Sequence, residues 1–504
     1  MRYGFAIDQR TCIGCHACTV ACKTEHQVPV GQFRTWVKYV DQGDYPSTTR
    51  DFAVMRCNHC TDAPCVKVCP TSSLFTRDDG IVDFDGDRCI GCKACMQACP
   101  YDAIYIDADT HTAAKCNYCA HRVDQGLEPA CVVVCPTESI WVGDLDDPSS
   151  ALVQLLSTNE TAVRAPEQNT GPNVFYLGAD RAVLEPLDAP PDGTYLWSEP
   201  DAHRREVAAD LAVDPVTRAK TTLNTAHPRP WGWRVTTYLW TKAVGSGALM
   251  IAALALLLRV DLASIGTVVA PLVALVGTAV TGVLLVWDLK RPERFLYIFL
   301  KPNPTSWLFW GSVVLATYAG LAALWLVAGL LGQESLIAVL AAPTALAGLM
   351  TAAYTGLLFG QAEGRDLWQS PLLFWHLVVQ AVMVGAGAMV LCVPFIDVSS
   401  SGRRLLVGAL AIGTVAHLAM LAMEYARTHR TRGAAAAARM ITHGRYARTF
   451  WGAVVVAAVA AVAAAVDWGM AASGPAYAAA LLVQPALLAY ESVFVRAGQD
   501  VPLS

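Results

Sequence analysis

Sixteen of the chain's seventeen cysteines lie before residue 136, in four groups of four: Cys12, Cys15, Cys18, Cys22; Cys57, Cys60, Cys65, Cys69; Cys89, Cys92, Cys95, Cys99; and Cys116, Cys119, Cys131, Cys135. In a run of the form C-x2-C-x2-C-x3-C-P, present from Cys89 to Pro100, thiolates hold iron–sulfur cubanes and the fourth cysteine reaches the other cluster of a pair. The count is that of the ligands of four [4Fe-4S] clusters, and the chemistry is electron transfer. Disulfides need an oxidising compartment, whereas the opening MRYGFAIDQR has neither an apolar signal segment nor a twin-arginine. Zinc favours two C-x2-C pairs across a spacer. Cys116/Cys119 with Cys131/Cys135 could take that form alone, but three cysteines within seven residues, twice over, do not suit it.

The groups repeat in the order A, B, A, B. CIGCHACTVACK at 12–23 and CIGCKACMQACP at 89–100 agree at eight of twelve positions, and CNHCTDAPCVKVCP at 57 recurs from 116 with a seven-residue insertion. Such self-similarity indicates a duplicated ferredoxin-like unit. Gly14 and Gly91 are placed where a side chain would crowd a sulfur. Short apolar stretches at 81–84 and 103–106 read as small strands between turn residues, so metal binding, more than a large apolar core, would hold this part together.

From about residue 232 the composition turns to long Ala, Val and Leu runs. A span of the hydrocarbon core needs roughly 20 apolar residues, and eight are expected, at about 236–258, 263–287, 306–331, 335–360, 371–394, 403–426, 450–472 and 474–496. An even number puts both termini on one side. Loops on that side contain Lys290, Arg291, Arg294, Lys301, Arg365, Arg427, Arg430, Arg432, Arg439, Arg445 and Arg448, with Arg496 after the last span; the other side has Arg259, Arg403 and Arg404. Twelve basic residues against three put the cysteine-rich half in the cytoplasm, with the protein multi-pass in the inner (cytoplasmic) membrane. The fold class is therefore α+β, a duplicated ferredoxin-like iron–sulfur domain at 1–180, followed by a connecting segment at 181–231, an all-α eight-helix transmembrane bundle at 232–496 and a tail at 497–504. GPNVFYLG at 171–178 reads as a strand that wraps back onto the first domain, and PRPWGWR at 228–234 has the aromatic and basic anchors of a membrane surface.

Ionisable groups within a bilayer are functional candidates by default. Lys242, Asp288, Tyr354, His376, Glu424 and Glu491 are all expected toward the cluster-side ends of their spans, with Arg291 just beyond. A quinone needs hydrogen-bond partners for its two oxygens and protons on reduction, which such groups supply. Lys242, Asp288, Arg291, Tyr354, His376 and Glu424 are the candidate quinone site. The plainer reading is headgroup contact for Lys242 and Arg291, structural charge for the two glutamates and an interface aromatic for Tyr354. His376 and His417 could form an axial haem pair, but a lone histidine per helix is more often a hydrogen-bonded core residue, so haem is not expected. Cys392 reads as packing.

The four cysteine groups in this order, with prolines at 70, 100 and 136 but Lys23 after the first, resemble the four-cluster subunits of molybdopterin oxidoreductases such as polysulfide, dimethyl sulfoxide and nitrate reductases and formate dehydrogenase. The eight spans and the string D-L-x-R-P-x-R-F from Asp288 to Phe295 resemble the membrane subunit of polysulfide reductase. The resemblance implies that the last cysteines are exchanged between groups, giving Cys12, Cys15, Cys18 with Cys135; Cys116, Cys119, Cys131 with Cys22; Cys57, Cys60, Cys65 with Cys99; and Cys89, Cys92, Cys95 with Cys69. It also implies that spans 1, 2 and 4, here through Lys242, Asp288 and Tyr354, bind menaquinone or ubiquinone close to the cluster subunit. Two departures stand out. The two subunits are fused here, and the inward orientation favours a cytoplasmic substrate such as formate or sulfite over polysulfide or dimethyl sulfoxide.

The expected function is that of an electron-transfer and membrane-anchor subunit, quinone-reactive but with no other catalytic site, linking a molybdopterin or tungstopterin catalytic subunit to the quinone pool. Its partners are that subunit, membrane lipid and quinone; no nucleic acid is expected. Alternatives are a module of a larger quinol-oxidising or proton-translocating respiratory complex and, from another class, a redox-gated transporter, against which the lack of broken-helix repeats counts.

Overall fold

The computed structural model describes residues 1–191, 210–211, 218–225, 228–470 and 474–504; much of the connecting segment expected at 181–231 lies outside them. The duplication is visible in the backbone. Gly14 and Gly91 have φ of 69° and 67°, and His16 and Lys93, two residues on, have φ of 61° and 66°. Each pair leads into a short helix carrying the next cysteines, α1 (Ala17–Glu25) and α3 (Ala94–Ala98). A side chain at Gly91 would put its Cβ 2.5 Å from Lys290 Cβ. The missing side chain thus makes room for a membrane-domain loop, and not only for the sulfur.

β1 (Tyr3–Asp8) is central in a four-stranded sheet, antiparallel to β8 (Ile140–Asp144) and parallel to β10 (Val174–Leu177), which β9 (Thr161–Ala162) extends. The strand expected at 171–178 therefore does close back onto the first domain. β2 (Thr35–Asp44) and β3 (Ser47–Arg56) form a long hairpin edged by β11 (Lys220–Leu223). Two small hairpins, β4 (Leu74–Thr76) with β5 (Val82–Phe84) and β6 (Ile104–Ile106) with β7 (Ala113–Lys115), separate the cysteine groups. The remaining helices beside the cysteines are α2 (Pro64–Val68) and α5 (Ala130–Val133), which carry Cys65 and Cys131, and α4 (Ala120–Val123), which follows Cys119.

Among the described residues, eight helices are long and apolar enough to cross a membrane: spans 1 (Trp233–Leu257), 2 (Ile265–Asp288), 3 (Trp307–Leu330), 4 (Glu334–Gly360), 5 (Leu373–Phe395), 6 (Ser400–Tyr425), 7 (Ala447–Met470) and 8 (Pro475–Asp500). Spans 1–4 pack as one four-helix group and spans 5–8 as another, joined mainly through span 1 against span 5, with span 4 against span 5 and span 1 against span 8 adding to the joint. The exposed stripes Leu272, Val276, Val280, Val283 on span 2 and Val455, Val459, Val462, Val466 on span 7 have the helical spacing of lipid-facing surface. Span 8 continues to Asp500, beyond residue 496 where the sequence suggests its end, because Gln499 and Asp500 are buried in contacts with Gln97, Trp231 and Tyr446.

Lipid tails are as apolar as leucine, so helices associate in a bilayer by close packing through small residues. Span 1 meets span 5 in this way. A Cβ on Gly247 would lie 1.7 Å from the Ala381 carbonyl oxygen, and one on Gly385 would lie 2.4 Å from the Ala248 nitrogen. Gly247→Ala must force the two four-helix groups apart, an overpacking cost of at least about 1–3 kcal/mol. We expect a lower thermal midpoint in detergent, whereas Gly282→Ala, with no neighbour within 4 Å of its Cβ, leaves the midpoint unchanged.

Candidate metal centres and their membrane contact

Sixteen thiols gather in four places, and each place mixes cysteines from two sequence groups. Cys12 lies within electrostatic reach of Cys15 and Cys135, and Cys18 of Cys12. Cys22 faces Cys116, Cys119 and Cys131. Cys57, Cys60, Cys65 and Cys99 form the third set, and Cys69, Cys89, Cys92 and Cys95 the fourth. Neighbouring sets follow one another in single file, within electrostatic reach: Cys18 of Cys131, Cys116 of Cys57, and Cys95 of Cys65.

Among the described residues no three His, Cys, Asp or Glu side chains are disposed around a single metal ion. Four thiols around a larger volume fit a multi-iron cube, whose corners they would hold. Burial pushes the thiols of Cys18, Cys60 and Cys116 up to about 12 and that of Cys99 to about 11, so they ionise only for a positively charged core. Backbone amides already point at the sulfurs: His59 N–H to Cys57 (3.4 Å), Gly91 and Ala113 N–H to Cys89 (3.4 and 3.3 Å), and Ser139 N–H to Cys135 (3.3 Å). At one end of the file Cys15 is exposed.

The other end rests on the membrane domain. Lys93, next to Cys92, is 5% exposed, and its ammonium pairs with Asp288 at the end of span 2, 2.6 Å away. Burial pulls the Lys93 pKa below its usual value, partly opposed by Asp288. The string from Asp288 to Phe295 is a seat for the fourth thiol set. Lys290 N–H donates to the Gly91 carbonyl and Arg291 N–H to that of Ile90, both at 3.2 Å, and Arg294 donates to the carbonyls of Gly86 and Cys89. Past the string, Asn303 donates to the Cys69 carbonyl (2.8 Å) and Ser306 to that of Val68 (2.7 Å). Trp231 donates to the Cys92 carbonyl (3.4 Å) and stacks on Phe359 and Trp368.

The structure does not bring all six quinone-site candidates together. Asp288 and Arg291 lie at the seam just described, where the Arg291 side chain pairs with Glu293 at 3.3 Å. Lys242 and Tyr354 meet in the bundle: the ammonium lies 4.5 Å over the phenol ring and donates to the Thr355 hydroxyl. His376 is on the other four-helix group. Its Nε2 is 2.8 Å from Nδ1 of His417, and both rings pack on Tyr490; with the rings bonded directly, no space is left for iron between them. Glu424 accepts from the Ser370 hydroxyl (2.7 Å).

Sequence patterns alone could not single out Thr355 or Lys93, because an isolated threonine or lysine has no motif. Glu491 was visible as a charge within an apolar run. The fold adds that it is 2% exposed, within electrostatic reach of Lys242, with neither carboxylate oxygen in a hydrogen bond.

Comparisons with known proteins divide at the same seam. Residues 48–145 match the 4Fe-4S dicluster domain, and residues 221–466 the family described as Polysulphide reductase, NrfD. The chain is similar to a tetrathionate reductase subunit of Salmonella typhimurium, 47% identical over 190 residues, 37% of this chain and 76% of that one. It is similar to a polysulfide reductase polypeptide of Wolinella succinogenes, 38% identical over 187 residues, 36% of this chain and 98% of that one. The arsenate respiratory reductase iron-sulfur subunit ArrB of a Shewanella species is 36% identical over 225 residues, 35% and 96% of the two chains.

Lys93 is buried, whereas Asp288 is 14% exposed and has Arg234 as a second cation 3.8 Å away, so removing either partner costs a part of the roughly 3–5 kcal/mol typical of a fully buried pair. Asp288→Asn and Lys93→Met should each lower the thermal midpoint. The double variant should lose clearly less than the sum of the two; strict additivity would show that the pair is not coupled.

Proposed function

This protein belongs to the family of reductase iron–sulfur subunits that includes those of tetrathionate reductase and polysulfide reductase, continued into an NrfD-type polysulphide reductase membrane domain, and on that premise we propose that it is the electron-transfer and membrane-anchor subunit of a reductase complex, exchanging electrons with a membrane quinone. It is a multi-pass membrane protein that holds 4Fe-4S clusters. The observation that carries the proposal is the single file of thiol sets, which begins at exposed Cys15 and ends on the membrane domain at Lys93 and Asp288.

We assign the sixteen cysteines, in the four sets above, as ligands of four clusters, which when bound supply one-electron storage. Lys93 and Asp288 fix the last set against the bundle. The quinone, menaquinone or ubiquinone, is assigned to the neighbourhood of Lys242, Tyr354 and Thr355. There Lys242 Nζ and the Tyr354 phenol would donate to a quinone oxygen, and the Glu491 carboxyl, which is in no hydrogen bond, would take up and release the proton that accompanies each electron. Asp288 and Arg291 serve this site from its edge by holding the last thiol set in place.

A molybdopterin or tungstopterin catalytic subunit is the partner proposed for the exposed end. Supporting it, α1 and α5 pack together there and leave Ile13, Val20 and Val133 more than half exposed near Cys15. The basic loops on the cluster side support a cytoplasmic position for that end.

The test uses the dithionite-reduced chain in liposomes. Added quinone should reoxidise the clusters, followed by loss of their EPR signals, and Lys242→Met should slow this by roughly a hundredfold with iron content unchanged. Reoxidation at the normal rate in Lys242→Met would place the quinone elsewhere. Failure of the unaltered chain to react with quinone would contradict the function.

A further inference from the structure

Arg56 ends β3 one residue before Cys57, yet its side chain turns toward two other thiol sets. It is 0% exposed. Nη1 donates to Cys131 Sγ at 3.3 Å, and the guanidinium lies 4.3 Å over the Phe5 ring. Nε and Nη2 are buried without an acceptor. The anionic groups that act on it are the thiols of Cys131, Cys116 and Cys18, the first two in the second set and the last in the first.

A guanidinium buried without an anion is among the costliest arrangements a fold can hold, and it persists only where a compensating charge is present. Its counterpart in the repeat is Lys115, which precedes Cys116 as Arg56 precedes Cys57. Lys115 is equally buried, but its ammonium donates to the carbonyls of Val82 and Cys116. Arg56 instead donates to a ligand sulfur and keeps two N–H faces free.

We propose that Arg56 is an electrostatic bridge between the first two cluster sites, a fixed positive charge that raises the reduction potentials of both and of the second most. This rests on the assignment of four clusters to the sixteen thiols. Reduction adds an electron to each site and makes it more negative, and local net charge and hydrogen bonds to the sulfurs are among the determinants of potential. The second set has both the Cys131 hydrogen bond and two thiols near the guanidinium; the first has Cys18 alone. The third and fourth sites lie beyond Cys116 and are less affected.

Potentiometric EPR titration of the full chain tests this, in the unaltered protein and in the Arg56→Met, Arg56→Gln and Arg56→Lys variants, with iron counted in each. Arg56→Met and the polar neutral Arg56→Gln should shift two of the four midpoints downward, the larger shift being at least a tenfold change in the one-electron equilibrium, about 59 mV. Arg56→Lys keeps the charge and should fall between. Should one neutral variant lose iron, the other and Arg56→Lys still give the comparison. Four centres with unmoved midpoints, or four midpoints moved equally, overturn the bridge alone. Fewer than four centres in the unaltered chain overturn the assignment of the sixteen thiols and the bridge with it.

Discussion

The ion pair between Lys93 and Asp288 is the contact on which the rest of the architecture depends. Lys93 is one residue from Cys92 and Asp288 closes span 2, so this 2.6 Å ion pair, flanked by the backbone bonds from Lys290 and Arg291, ties the last thiol set to the lipid-embedded bundle. The pair exists because buried charge must be matched within a short radius. The same requirement runs back along the file. Lys115 lies within electrostatic reach of Cys65 in the third set, and Arg56 of thiols in the first and second. At Lys93 the matching charge comes from the other half of the molecule, as it does where Arg365 meets Asp102 and Arg294 meets Asp87.

With both halves on one chain, the loop from Asp288 to Ser306 holds main-chain and side-chain donors against the carbonyls of residues 66–70 and 86–91. A second contact uses Arg365, which donates to Gln97 at 2.9 Å, with Gln97 in turn bonded to Gln499 of span 8. Basic residues of these loops, Arg294 and Arg365 among them, therefore anchor the cysteine-rich half.

Much of this was legible from the residues. The cysteine spacing carries its meaning locally, since three thiols in seven residues already supply three of a cluster's four ligands, and the spans announce themselves by length and composition. The backbone duplication at Gly14/His16 and Gly91/Lys93 follows from the A, B, A, B repeat. What escaped was relational. The string at Asp288 is conspicuous, but only the fold shows its backbone amides donating to Gly91 and Ile90. Gly91 reads as room for a sulfur and proves also to be room for Lys290. Lys242, Tyr354, His376 and Glu424 share a chemical character in sequence, yet two four-helix groups divide them, because helix rotation and packing are set by small residues such as Gly247 and Gly385 that carry no functional signature.

The central claim is a continuous file of four clusters from Cys15 to the membrane. Its most direct test is the EPR spectrum of the fully reduced chain together with its iron and sulfide content. Four irons for each thiol set, with signals broadened by spin coupling between neighbours, is the predicted result. Fewer irons than four clusters require, or four magnetically isolated signals, would contradict it.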